Sequence, residues 1–436
     1  VRGLAPQSST LTQEVNDMND TMSKEAERTA LSAQIDISVH VELIDAHAVK
    51  GHREAWVDLV SRRLEANVFL EPAFLLPLLD NIPSTASYSF LMAWDVQAGL
   101  ISNRLLGLIP IRLPSFLHPL PVGKGLDHNL TAQGTPLLDA QRGIEAFEAM
   151  LFWLGRARLR LKGLCLSSVP TAGPFWTAVL ADRRFPGHAF RILDQRDRAV
   201  LRHGVVAPIP PIVSSKKRKG WTRQRRRLSE LGTLEFHRAR TPIEIAQSAE
   251  QFLALEAGGW KGRLGTALAV DSSLSAFALK MMRGMAIEGN CYVDSLRVDG
   301  TAVAMGIVIK TGDHAYFWKT AFDEKYRQFS PGVQLALDLT AAQVREDRLV
   351  QTDSCAVSDH PMIESIWCDR MGLVDALFAL QAPPSSSRLY TMLFAAAGGI
   401  EIARRILRFW AKRTLVRIKR AKARIARNSR EVESVN

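Results

Sequence analysis

Three apolar segments, CYVDSLRV, TAVAMGIVIK and HAYFWKTAF, follow one another between Cys291 and Phe322 with two and then three residues between them. Gaps this short admit only antiparallel neighbours, because a parallel pair needs a long crossover. Asp299-Gly300 in the first gap is a strong hairpin signal. The segment that follows, DEKYRQFSPGVQLALDL, turns through a polar corner into a helix. Ser330 suits the N-cap, Pro331 the first helical position, and Val333, Leu335, Leu337 and Leu339 form the apolar part. Such a corner directs free backbone N–H groups and the positive end of a helix dipole at one spot, which favours an anion, phosphate above all. An ordinary capped helix uses the same residues.

The remaining segments surround this core with alternating helix and strand. Before it come TLEFHRA as a strand, a helix from Pro242, the loop EAGGWKGRLGTAL and a helix over 273–287. After it come a strand at LVQTDSCAV, a short helix near HPMIESIWCDRM and a final strand at LVDALFAL. The first half alternates similarly: a strand at 41–45, a helix over 53–64, the proline-punctuated NVFLEPAFLLPLLD, strands at SYSFLMAWD and RLLGLIPIRL, the loop DHNLTAQGTPLLD, a helix over 143–161, a strand at GLCLSSV and a helix over 173–182. The expected class is α/β (α+β). Composition shifts around HGVVAPIPPIVSSKKRKGWTRQRRRLSELG, first to a proline-rich connector and then to a basic helix, which sets the boundary between halves.

With 436 residues, 47% of them hydrophobic, the chain can bury large cores and fits two domains. No apolar run reaches membrane-spanning length. The first thirty residues do not resemble a signal peptide and read as a polar, disordered lead-in. Cys165, Cys291, Cys355 and Cys368 lack metal-ligand spacing, so free thiols in a reducing cytoplasm are expected, with neither zinc nor disulfides. The net charge of +12 is uneven: from Glu401 onward 12 basic residues face 3 acidic ones, whereas the preceding 400 residues carry 44 and 41.

The order of elements, with an anion-receiving corner after the central strand, resembles the GNAT acyltransferase fold. FLALEAGGWKGRLGTAL, AYFWKTAFDEKYRQFSPGVQLALDL and TDSCAVSDHPMIESIWCDR closely resemble the BioF2-like or CelD-type acetyltransferase family, associated with cellulose and exopolysaccharide biosynthesis. ANVFLEPAFLLPLLD and SSKKRKGWTRQRRRLSELGTLEF resemble that family's N-terminal signature and basic connector. The resemblance implies two GNAT-like domains in tandem, with mixed central sheets flanked by helices. It divides the chain into a lead-in (1–38), a degenerate GNAT-like domain (39–212), a GNAT acetyltransferase domain (213–385) and a basic tail (386–436). It further implies acetyl-CoA or another acyl-CoA as co-substrate, with Arg327, Gln328, Ser330, Gly332 and Val333 in the pyrophosphate loop. Ser-Pro-Gly stands where simpler GNAT enzymes have a glycine-rich loop, and Pro331 contributes no donor.

Acyl transfer from a thioester to an amine needs a held thioester, a deprotonated amine and a donor to the developing oxyanion. The resemblance implies that this donor is a backbone N–H around residues 318–320. Three residues are candidate general bases. Asp353 lies in an otherwise apolar strand, where burial can tune a carboxylate or merely make it structural. Glu256 ends a helix before the glycine-rich loop. His360 precedes Pro361, with an ordinary pKa suited to proton transfer. Of these, Asp353 is placed first. Trp260, Lys261 and Arg263 in the loop are candidate substrate contacts. Lys319, in an apolar strand, needs a partner, for which Asp323 and Asp353 are candidates. Cys355 reads as a small buried hydrophobe.

Two other classes compete. A nucleic-acid-binding protein would use KKRKGWTRQRRR and the tail. A FemAB-like transferase would take an amino acid from charged tRNA, the basic connector then touching RNA. The balanced body favours a small-molecule amine or sugar precursor as acceptor and makes nucleic acid an unfavoured partner. In the tail, Ala403, Leu407, Trp410, Thr414, Ile418, Ala421 and Ile425 form one helical stripe flanked by Arg and Lys. That pattern suits either a helix lying on an anionic inner membrane face or one packed on a cytoplasmic enzyme.

Overall fold

Two runs of strands, one from each half of the chain, merge into a single sheet. The computed structural model describes residues 38–115, 120–157, 159, 161–182, 190–204, 214–346 and 348–380, with the isolated positions 396, 399, 400 and 403. The lead-in before Ser38, the proline-rich 205–213 and the stripe expected in the tail (Ala403 aside) lie outside them.

In chain order the first half contains β1 (Val39–Asp45), α1 (Arg53–Ser61), α2 (Pro72–Asn81), β2 (Tyr88–Gln97), β3 (Leu100–Arg112), β4 (Val122–Gly125), β5 (Leu137–Leu138), α3 (Gly143–Arg156), β6 (Gly163–Pro170), α4 (Pro174–Ala181) and β7 (Phe190–Arg202). The second contains α5 (Ser215–Ser229), β8 (Leu234–Ala239), α6 (Pro242–Gly258), the short α7 (Trp260–Arg263), α8 (Ser272–Ile287), β9 (Cys291–Val298), β10 (Thr301–Thr311), β11 (His314–Phe322), α9 (Pro331–Val344), β12 (Gln351–Asp353) and β13 (Asp369–Ala379). Local chemistry accounts for several boundaries. Thr241 and Glu244 form a reciprocal capping box at the start of α6, with Pro242 at its first turn. Asp299 and Gly300 both take positive φ, 47° and 76°, as the two-residue turn between β9 and β10 requires.

The sheet order is β1-β2-β3-β4-β6-β13-β7-β12-β11-β10-β9-β8. Read from either edge it is the same series: four strands joined antiparallel, a fifth added parallel (β4 with β6, β11 with β12), then a strand from the opposite half. This internal symmetry is a tandem of GNAT-like units whose last strands have changed places. β13 pairs with β6 and β7, and β7 pairs with β12. A cut at 212/213 therefore parts strands that are hydrogen-bonded neighbours.

The core is shared as well. Phe74 of α2 packs edge-on against Phe277 of α8 (5.4 Å) and Trp318 of β11 (6.0 Å). On one face of the sheet α2 and α8 meet across the halves, and α6 joins them in one buried cluster. The opposite face carries α3 and α4 over the first half's strands and α9 over the second's.

Candidate active site

β11 is the central strand of the second half, and two irregularities shape it. Its register with β10 slips where Ile307 faces Lys319 and Val308 faces Phe317, which leaves Trp318 as the extra residue of a bulge. Its parallel pairing with β12 ends at Tyr316 and Asp353. Beyond that point the strands diverge into a wedge, and β11 from Phe317 to Phe322 is hydrogen-bonded to β10 alone. The chain leaves β12 because the Asp353 carboxylate accepts the Cys355 N–H (2.8 Å) while Cys355 turns to φ 52°. The strand expected over LVQTDSCAV is thus only three residues long.

The corner lies at the open end of β11. A 3-10 segment, Glu324–Phe329, precedes α9, and Ser330 occupies the N-cap position with left-handed φ 52° and ψ 55°. The expected cap is not made. An N-cap side chain reaches the first turn from extended backbone, whereas here the Ser330 hydroxyl accepts from Gln224 of α5 (3.1 Å) and its N–H donates to the Arg327 carbonyl (3.1 Å). Val333 and Gln334 donate to the Ser330 carbonyl at 2.9 and 3.2 Å. Among the described residues the Gly332 N–H is left open, and the Ser330 hydroxyl retains its own hydrogen. Arg327 and Gln328 are exposed beside them. These groups suit an anion, on fewer amides than the sequence suggests.

The candidate bases occupy different circumstances. Asp353 is buried in an ion pair with Arg198 of β7 (2.9 Å), so both its oxygens have structural partners. Glu256 is buried, accepting from Lys261 (2.8 Å) and from the Leu268 N–H (2.8 Å). His360 is half-buried, its Nδ1 has no partner among the described residues, and burial holds its pKa below the usual histidine value. It also feels the Lys261 ammonium and the Glu364 carboxylate.

The glycine-rich loop is more ordered than its composition suggests. Gly262 lies so close to the Ala257 carbonyl that a Cβ would sit 1.8 Å from it, which lets α7 fold back on α6. Lys261 also donates to the Thr320 carbonyl of β11 (2.8 Å), Arg263 pairs with Glu324 (2.5 Å), and Trp260 is exposed. Lys319 makes neither expected ion pair: Asp353 is taken by Arg198, and Asp323 turns to the Lys325 N–H. Its ammonium instead lies 5.4 Å from the Trp318 ring centroid, and burial, then Lys261, lowers its pKa. Burial raises the Cys355 thiol well above its ordinary pKa, which fits a non-nucleophilic role.

Sequence reasoning missed the first half's contribution. The loop read from DHNLTAQGTPLLD docks on β11: Trp318 donates to the Leu130 carbonyl (2.8 Å), and the Tyr316 hydroxyl reaches Gln133 (3.1 Å). His128, half-buried in that loop, feels Lys319. A cavity of about 310 Å³ between the halves reaches Tyr316 and Asp353, with Glu65, Gln133 and Arg202 in its wall. The Phe175 N–H, Gln133 and Thr135 all donate to Glu65, yet burial raises its pKa to about 7. The polar residues of the loop were visible in the sequence, but nothing local marked the strand they would cover.

The bulged central strand, the wedge beside it and the corner at its open end all lie in the second half of the chain. Residues 215–351 match the acetyltransferase (GNAT) domain family, and the chain is an enzyme carrying that domain in its second half. No curated protein matches the chain. Among solved structures it is similar over 78% of its length to 98% of FemX (8% identity, TM-score 0.49). It is similar over 78% to 96% of L-PGS from Bacillus licheniformis (11% identity, TM-score 0.46). A tandem GNAT protein from the clavulanic acid biosynthesis pathway, solved without AcCoA, is similar over 79% of this chain and 99% of its own (15% identity, TM-score 0.37).

Proposed function

We propose that the chain transfers an acyl group from a coenzyme A thioester to the amine of a small molecule. The observation that carries this reading is the bulge at Trp318 beside the wedge, within the GNAT match. A bulge turns a backbone N–H out of the ladder, and residues 318–320 are where the thioester oxygen needs a donor as it gains charge. The Gly332 N–H, the Ser330 hydroxyl, Arg327 and Gln328 hold the pyrophosphate. The amine nitrogen attacks the thioester carbon, the carbon–sulfur bond breaks, the amine proton passes to His360, and the departing thiolate takes a proton from solvent to leave as the thiol.

The acceptor enters from the α6 and α7 side. Lys319, half-buried and with no carboxylate ion-pair partner among the described residues, lowers the pKa of an amine bound nearby and attracts an acceptor with an anionic or oxygen-rich group. Trp260, Lys261 and Arg263 border that entrance, with Glu256 fixing Lys261. The second half, 213–385, holds the chemistry and the degenerate first half, 39–212, walls it. An exopolysaccharide or cellulose precursor as acceptor rests on the wording of the three motif segments alone. Titration with acetyl-CoA by calorimetry tests the reading, followed by thiol release with amino sugars and polyamines. Absence of binding, with transfer from charged tRNA in its place, refutes it.

A further inference from the structure

The basic helix α5 carries eight Lys and Arg residues over 215–229 and no acidic residue. Two of its cations are committed, Arg225 to Asp338 (2.9 Å) and Arg226 to Glu230 (3.5 Å). Lys216, Arg223 and Arg227 are exposed and make no ion pair among the described residues. Such a face costs stability through self-repulsion, and an ordinary solvated helix would mix its charges.

The contacts of α5 with α9 show where these cations lie. Arg225 reaches Asp338, the Trp221 carbonyl accepts from Gln334, and Gln224 reaches Ser330. These contacts climb α9 toward its N-terminus in single turns of four residues. On α5, at 100° per residue, Arg225 and Trp221 lie roughly 100° and 60° around the axis from Gln224. The next positions in the same rotational sense are Gly220, Arg227, Lys216 and Arg223, between roughly 40° and 100° on the other side of Gln224. Continuing that order places them on the side of α5 toward the start of α9. Gly220 leaves this approach clear, since nothing lies within 4 Å of where its Cβ would be.

We infer that Arg223 and Arg227, with Lys216, form a phosphate-binding face that recognises the 3′-phosphate of coenzyme A beside the pyrophosphate corner. The inference rests on the proposed acyl-CoA reading. The corner supplies one open amide, a hydroxyl and Arg327, enough to engage a pyrophosphate. The ligand's remaining dianion is joined to that pyrophosphate through a single ribose, and α5 brings dense positive charge to that side. Guanidinium groups suit it because they bind phosphate in bidentate fashion.

The test is calorimetric titration of the full chain with coenzyme A and with 3′-dephospho-coenzyme A. The wild type is expected to bind coenzyme A about tenfold more tightly, the scale of one charge-assisted contact at a screened surface. Arg223→Ala with Arg227→Ala should bind both ligands equally, near the wild type's dephospho value. Arg218→Ala, roughly 160° around the axis of α5 from the middle of that face, should keep the preference. Equal binding of both ligands by the wild type overturns the inference and leaves the acyl-CoA reading intact. So does a preference that survives the paired substitution or is lost equally with Arg218→Ala. No binding of either ligand overturns both.

Discussion

Replacing Arg198 by Met isolates the ion pair that fastens β7 of the first half to β12 of the second. The Asp353 side chain is 2% exposed and that of Arg198 9%, so neither charge has water to fall back on. Arg198 also donates to the Ala132 carbonyl (2.8 Å) and the Ala356 carbonyl (3.1 Å), which joins the docking loop and the diverging end of β12 to the same side chain. Methionine keeps much of the volume but strands the carboxylate, and breaking a buried pair this way costs about 3–5 kcal/mol. Adding Asp353→Asn removes the stranded charge, so the double variant should recover roughly 2 kcal/mol relative to the sum of the singles. Denaturant unfolding of the four proteins reads this directly. A loss below about 1 kcal/mol for Arg198→Met, or simple additivity, refutes the reasoning. Asp353→Asn that keeps wild-type stability and loses turnover would return Asp353 to the role of base.

Two further outcomes follow from titrating groups. The Glu65 carboxyl, ordinarily near 4.5, is raised to about 7 by burial, so the folded state binds its proton more tightly than the unfolded chain does. Its stabilising contribution is full below pH 4.5 and lost as pH rises through 7, and Glu65→Gln should reduce that decline by about 3 kcal/mol in unfolding measured across the range; an unchanged slope refutes it. Glu71, raised likewise to about 7, keeps part of the slope in the variant. For His360, the pH profile of kcat/KM should rise through an apparent pKa below 6.5, and His360→Gln should abolish that limb while leaving acetyl-CoA affinity within about twofold. A variant with an unaltered profile excludes His360 as the base.

Features governed by adjacent residues were legible in the sequence. Asp299-Gly300 specified the β9–β10 turn, and the Ser-Pro-Gly corner did start a helix. Features governed by distant partners were not. LVDALFAL reads as a strand in any context, but its alternation does not say that β13 must lie between β6 and β7. A charge in an apolar strand demands an explanation, yet Asp353 was reached by Arg198 from across the chain before Lys319 could claim it. The bulge at Trp318 leaves no local signature, because Trp-Lys-Thr is as compatible with a regular ladder as with a slipped one. Ser330 was misread for a related reason: Gln224 and the tight 3-10 turn before it offer its polar atoms better partners than the helix does.

The exchange of last strands explains how the first half reaches the bulge and the wedge of the second. The first half's counterpart of β11 is β4, four residues long, which pairs with β6 only through Val122, Gly123 and Lys124. The loop after it does not turn into a helix at a corner of its own. It crosses to the second half, where the Leu130 carbonyl accepts from Trp318 and Gln133 meets Tyr316. The Ala132 carbonyl in the same loop accepts from Arg198, which holds Asp353 and so the turn at Cys355 that opens the wedge. Each of these bonds joins a first-half residue, directly or through one neighbour, to the bulge or to the wedge. A segment shaped in this way becomes a wall beside β11. β7 and β13 hold that wall in register, because separating the halves would expose both edges of the exchanged strands.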